Sequence, residues 1–184
     1  MPATVLNALD HAVRQASRRL TTMAKSDPAL RGMGTTLTAL LWSGSELGLV
    51  HIGDSRAYLV RGGEVFQITQ DHTIVQTLLD DGKITEAEVA SHPQRNLILR
   101  ALVADGGCEP DLSLREAVPG DRYLLCSDGL HEVVNAAAIA RVLLTVADPD
   151  EAASGLVELA LAGGGPDNVT CIVADVVAAA VPVA

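Results

Sequence analysis

The chain has 184 residues, long enough for one domain with a buried core, and its 48% hydrophobic and 20% charged content is that of a globular protein, not a disordered one. Its 13 Lys and Arg against 23 Asp and Glu leave a net charge of −10, which argues against general nucleic-acid or anionic-membrane binding and suits a site that collects cations. Met1 to Leu20 contains Asp10, Arg14, Arg18 and Arg19 and so lacks a signal-peptide core; Asp175 keeps the last apolar run below membrane length. A soluble, cytoplasmic protein is predicted. The cysteines, Cys108, Cys126 and Cys171, are odd in number and lack metal-ligand spacing, which predicts reduced core residues.

Val5, Leu6, Leu9, Val13, Ala16 and Leu20 recur at spacings of three and four, which predicts an amphipathic helix over residues 4–24, broken at Ser26-Asp27-Pro28. Strands follow at 35–42 and 46–52, then at 56–61 and 64–69 around the hairpin turn Gly62-Gly63. The period changes at 71–81, where Ile74, Val75, Leu78 and Leu79 make a helical stripe with Asp71 at its start and Gly82 past its end. Thr85 and Glu88 have capping-box spacing for a short second helix. Residues 91–110 read as an irregular, mobile flap. Further strands are predicted at 111–116 and 121–127. Helices capped by Asn135 and Asp148 follow, and Gly163-Gly164-Gly165 ends the second. A buried strand over 168–177 closes the chain. A meander of strands with helices in separate pairs argues for an α+β fold. The predicted domain is single, 1–177, with a frayed tail at 178–184.

Three aspartates stand where an apolar strand begins or ends: Asp54 in His51-Ile-Gly-Asp-Ser-Arg56, Asp128 in Cys126-Ser-Asp-Gly129, and Asp167 in Gly163-Gly-Gly-Pro-Asp-Asn168. A buried strand fixes its own end, and a glycine beside it lets the chain turn sharply. One aspartate in such a loop is ordinarily a turn or cap residue. Three in like settings predict hard oxygen ligands converging on Mg²⁺ or Mn²⁺, ions that acidify water and clamp phosphoryl oxygens. Ser127 has no base cued by the sequence, and the glycine run lacks the Lys-Ser/Thr of a phosphate loop, so neither predicts chemistry of its own. Arg56 is a candidate anchor for the Asp54 turn, and His72 beside Asp71 reads as a helix-start contact.

Gly34-Thr-Thr36, Ile52-Gly-Asp-Ser-Arg56, Asp71-His72, Leu125-Cys-Ser-Asp-Gly129 and Gly165-Pro-Asp-Asn168 occur in the order found in metal-dependent protein phosphatases of type 2C, and the whole chain resembles that family's actinobacterial branch. The resemblance implies a β-sandwich with helices on both outer faces. It also implies hydrolysis of phosphoserine and phosphothreonine by a metal-activated water, with Mg²⁺ or Mn²⁺, two to three ions in a complete site. Asp128 and Asp167 would then be ligands of the paired metals, and Asp54 and Asp128 of a third. A flap serine that assists the third metal in that branch corresponds to Asn96 here. Gly53, Ser55, Arg56, Gly129 and Asn168 would support the ligands. No side chain is assigned as catalytic. Phosphorylated proteins and the opposing Ser/Thr kinases are the implied partners.

The family pattern also has an Arg-x-x-Asn-Glu-Asp segment with a phosphate-binding arginine, and an Ala-Asp-Gly-Met-Gly-Gly strand end whose aspartate bridges the central metals. Neither occurs in this sequence, which begins at the helix that follows them. The expectation is an N-terminally incomplete domain without its first strands. Its metal pair should bind weakly, and its exposed sheet edges should favour self-association. The alternatives to an enzyme are a non-catalytic pseudophosphatase that binds phosphoproteins, or an inactive truncated fragment.

Overall fold

In chain order the elements are α1 (Pro2–Ser26), a 3₁₀ turn (Pro28–Leu30), β1 (Gly34–Thr35), β2 (Leu37–Ser43), β3 (Glu46–Ile52), β4 (Arg56–Arg61), β5 (Glu64–Gln67), α2 (Ile74–Asp80), α3 (Glu86–Val89), β6 (Leu102–Val103), β7 (Asp111–Glu116), β8 (Arg122–Cys126), α4 (Asp128–His131), α5 (Ala136–Thr145), α6 (Pro149–Ala162) and β9 (Cys171–Asp175). This computed structural model describes residues 2–104 and 109–178. Cys108, and the predicted tail beyond residue 178, lie outside the described residues. Helices and antiparallel sheets agree with the α+β expectation. The elements gather into two compact units, one of the residues up to Ser55 with Gln70–Arg115, the other of Arg56–Thr69 with the residues from Glu116 on.

The first unit is built on the strand order β2-β3-β7. β2 and β3 form an antiparallel hairpin with Leu37 opposite Ile52 and Ser43 opposite Glu46. The apolar stripe of α1 lies on β3: Val5, Leu9 and Val13 are buried in one cluster with Val50, Ile52 and Leu102. The contact is close because Gly48 has no side chain. A Cβ there would stand 2.5 Å from Val5 Cγ1 and 2.8 Å from Leu9 Cδ1.

Local signals in this unit held in most places and failed in three. Glu88 accepts hydrogen bonds from the Thr85 N–H and hydroxyl, both at 2.8 Å, as the capping box predicts. The strand expected over 35–42 is divided at Thr36: β1 pairs with β6, whereas β2 pairs with β3, so the chain changes partner there. Asp71 does not cap α2. Thr73 does, its Oγ1 accepting from Gln76 N–H at 3.3 Å. The helix starts later because His72 is held extended, its N–H on the Gly53 carbonyl at 2.8 Å and its carbonyl receiving Leu99 N–H at 2.7 Å. Within the segment read as irregular, β6 forms a strand and Thr73 bridges Ile98.

The second unit is the antiparallel sheet β5-β4-β8-β9. Tyr58, Val60, Leu124 and Cys126 put one sheet face into a core with Leu130, Ile139, Leu143 and Leu156 from the helices. Asn135 Oδ1 caps α5 through Ala138 N–H at 2.9 Å. Asp148 Oδ1 caps α6 through the N–H groups of Asp150 and Glu151, at 2.9 and 3.0 Å. β8 is central and buried, as its apolar run implies. β9 is shorter than the strand predicted for 168–177 and is not fully buried. It is an edge strand, with Cys171 and Val173 packed on the core and Ile172 55% exposed on the opposite face.

Candidate metal centre

In the first unit the turn after β3 presents Asp54 at intermediate exposure. Gly53 before it has φ +106, and a Cβ there would fall 2.4 Å from Thr36 Cγ2. Both the left-handed backbone and the lack of space therefore require glycine. Thr36 and Ser55 hydroxyls meet at 2.9 Å. His72 Nδ1 accepts the Gly53 N–H at 3.0 Å, which leaves the ring proton on Nε2 to donate to Asp111 Oδ2 at 2.9 Å. Burial pushes the Asp111 carboxyl up, but hydrogen bonds from Arg100 and His72 outweigh it and hold the group below its ordinary value. His51 lies 4.7 Å from His72, centroid to centroid. Burial pushes His51 below its ordinary value. In the neutral ring Nε2 donates to the Gln70 carbonyl and Nδ1 faces the Thr38 hydroxyl, both at 2.9 Å.

In the second unit Asp128 follows the end of β8 and opens the short helix α4, where Ser127-Asp-Gly129 alone predicts a sharp turn. Asp167 stands in the loop between α6 and β9. Each carboxylate has one oxygen on the next residue's backbone: Asp128 Oδ1 accepts Gly129 N–H at 2.9 Å, and Asp167 Oδ1 accepts Asn168 N–H at 2.7 Å. The two loops are stitched together. Ser127 N–H donates to the Thr170 carbonyl at 3.1 Å, and Ser127 Oγ accepts Thr170 N–H at 3.1 Å and donates to the Asn168 carbonyl at 3.4 Å. A Cβ on Gly129 would stand 2.3 Å from Asn168 O, so only glycine lets the loops approach this closely. Gly163 caps α6, and Gly164 turns at φ +112, as the helix-ending reading of the glycine run has it.

The predicted site residues thus divide between the units. Asp54, Gly53 and Ser55 belong to the first, as does Asn96, which is exposed in the turn before Leu97. Asp128, Gly129, Asp167 and Asn168 are brought together in the second. Arg56 opens β4 there and points Nη1 at the Tyr58 hydroxyl, 3.5 Å away. His72 makes no helix-start contact. It secures the Gly53 turn, and its Asp111 partner gave no signal in the sequence because the pair lies 39 residues apart.

The donor chemistry fits a hard cation. Asp128 and Asp167 offer oxygen only, and among the described residues no cationic side chain is paired with either. Among the described residues no group of three or more His, Cys, Asp or Glu forms a cage. Mg²⁺ and Mn²⁺ suit such a sparse oxygen set, because Mg²⁺ takes one or two carboxylates and keeps several waters.

A family model described as Protein phosphatase 2C matches residues 3–78. The Serine/threonine protein phosphatase PstP of Mycobacterium tuberculosis strain H37Rv is 56% identical over 173 residues, which cover 94% of this chain and 33% of that protein. The chain therefore spans about a third of the length of that curated relative. A crystal structure of the M. tuberculosis phosphatase PstP/Ppp superposes with a TM-score of 0.91 at 55% identity, covering 95% of this chain and 73% of that one. The PstP catalytic domain in complex with two manganese ions superposes with a TM-score of 0.88 at 53% identity, covering 95% of this chain and 72% of that one. With identity this high over most of a solved phosphatase chain, the protein belongs to the protein phosphatase 2C family.

Proposed function

We propose that this chain hydrolyses phosphoserine and phosphothreonine on proteins, opposing Ser/Thr kinases, with Mg²⁺ or Mn²⁺ held by Asp128 and Asp167 and, in the family's third position, by Asp54 and Asp128. The reading is supported above all by the stitched loops of the second unit, which bring Asp128 and Asp167 onto adjoining backbone segments. It is supported too by the two manganese ions of the similar PstP catalytic domain. Bound there, such an ion acidifies water and draws charge from a phosphoryl oxygen. The chain's own part is to fix the carboxylates. The Gly129 and Asn168 N–H groups each hold one oxygen, and Ser127 ties the two strand ends so that the second oxygens keep one orientation. Gly53, Ser55 and Arg56 support the Asp54 side, and Asn96 is the proposed flap contact. We place residues 1–177 in one phosphatase domain acting in cytoplasmic signalling. Among the described residues no helix is long and apolar enough to cross a membrane. Self-association through the sheet edges β5 and β9 belongs to the same reading.

The test is hydrolysis of p-nitrophenyl phosphate and of a phosphothreonine peptide, with and without Mn²⁺, by this chain and by Asp128→Asn. The expected result is Mn²⁺-dependent turnover that falls on the order of a hundredfold in the variant. Peptide retention without turnover would replace the enzyme by a phosphoprotein-binding module.

A further inference from the structure

Cys126 ends β8, Cys171 opens β9, and the two residues face each other in the antiparallel register. The ladder's hydrogen bonds fix what kind of pair this is. Ser127 N–H donates to the Thr170 carbonyl at 3.1 Å and Val176 N–H to the Asp121 carbonyl at 2.8 Å, so 127/170 and 121/176 are hydrogen-bonded pairs. Antiparallel pairs alternate, which makes Cys126 and Cys171 a non-hydrogen-bonded pair, the kind whose Cα atoms lie only about 4.5 Å apart with side chains on one face. That spacing falls at the short end of the range of roughly 4.4–6.8 Å that a disulfide spans. Both side chains turn to the same core, Cys126 at 4% exposure and Cys171 packed against it, half-buried.

We propose that Cys126 and Cys171 form a reversible cross-strand disulfide, an oxidative modification site at the strand ends that carry Asp128 and lead from Asp167. In the step, a peroxide accepts two electrons and two protons from the two thiols and leaves as water, while one sulfur–sulfur bond forms. Thiols return the pair to its reduced form by exchange through a mixed disulfide. Burial pushes the Cys171 thiol up to about 11, so its thiolate is scarce near neutral pH and the bond forms slowly there. Once formed, it would clamp the stitched loops covalently, beside rather than within the carboxylate pair.

The test does not depend on turnover, so it stands or falls apart from the phosphatase reading. The folded chain is treated with hydrogen peroxide and digested with trypsin without reduction. Cleavage after Arg100, Arg115, Arg122 and Arg141 puts Cys108, Cys126 and Cys171 on three separate peptides. The expected product is a linked pair of the Cys126 and Cys171 peptides that separates on reduction, forms faster as pH rises from neutral, and is missing in Cys171→Ser. Sulfinic acids on the separate peptides, a link through Cys108 instead, or no oxidation of either thiol would each overturn the proposal.

Discussion

His72 grips the Gly53 peptide from both sides, accepting its N–H on the ring at 3.0 Å and donating backbone N–H to its carbonyl at 2.8 Å. The ring is 7% exposed, so water does not replace these bonds when they are lost. Its Nε2 proton goes to Asp111, which Arg100 Nη2 also holds at 2.7 Å. One side chain therefore fixes the backbone immediately before Asp54. His72→Ala strands a buried donor and removes the packing against His51. The expected loss is about 2 kcal/mol in urea unfolding, and an unchanged midpoint would show that the turn holds itself. Two glycines act by absence, each within its own unit: Gly53 leaves room for Thr36, and Gly129 for the Asn168 carbonyl.

The strands β4 and β8 are locked at their far end by charge. Asp121, just before β8, has a side chain only 2% exposed, and it receives Arg61 Nε at 2.7 Å, Arg61 Nη2 at 2.6 Å and Val118 N–H at 2.8 Å. The Arg61 guanidinium, against the opposing effect of burial, holds the Asp121 carboxyl below 3.8. The folded chain thus binds this proton less readily than the unfolded one. The stabilisation is full above the unfolded value near 3.8 and is lost as pH falls through the lower folded value. Asp121→Asn should cost about 2 kcal/mol near neutral pH and flatten the acid limb of the stability curve. Urea unfolding of both proteins from neutral pH down to about 3 measures it. A variant whose stability falls off in acid as steeply as the parent's would remove Asp121 as the cause. At the near end of the same sheet the Ser127 bridges join the strand end to the loop before β9.

At the scale of the molecule the net charge is −10, and the proposed site needs a cation. Two hydrophobic clusters, one under α1 and one under α4 to α6, supply the cores on which the loops rest. A chain this acidic raises the local concentration of divalent ions, an effect that salt screens. The Mn²⁺ concentration for half-maximal turnover should rise several-fold between roughly 0.05 and 0.5 M NaCl. A half-saturation point independent of salt would mean that the local carboxylates alone set the affinity.

What the sequence determined by itself was local. The capped starts at Asn135, Asp148 and Thr85, the hairpin at Gly62-Gly63, the stripe of α1 and the strands β3, β4 and β7 all follow from residue preferences acting over a few positions. So did the three aspartate motifs, because a short spacing around glycine carries their signal. What only the tertiary structure decided involves residues far apart in the chain. The start of α2 at Thr73 instead of Asp71 depends on Gly53 and Leu99, and the break at Thr36 on β6. The edge position of β9 depends on which strands lie beside it, and the placing of Cys126 opposite Cys171 on the register of a pair of strands separated by three helices. Local preference cannot set these, because each is fixed by contacts whose partners a short window of sequence never contains.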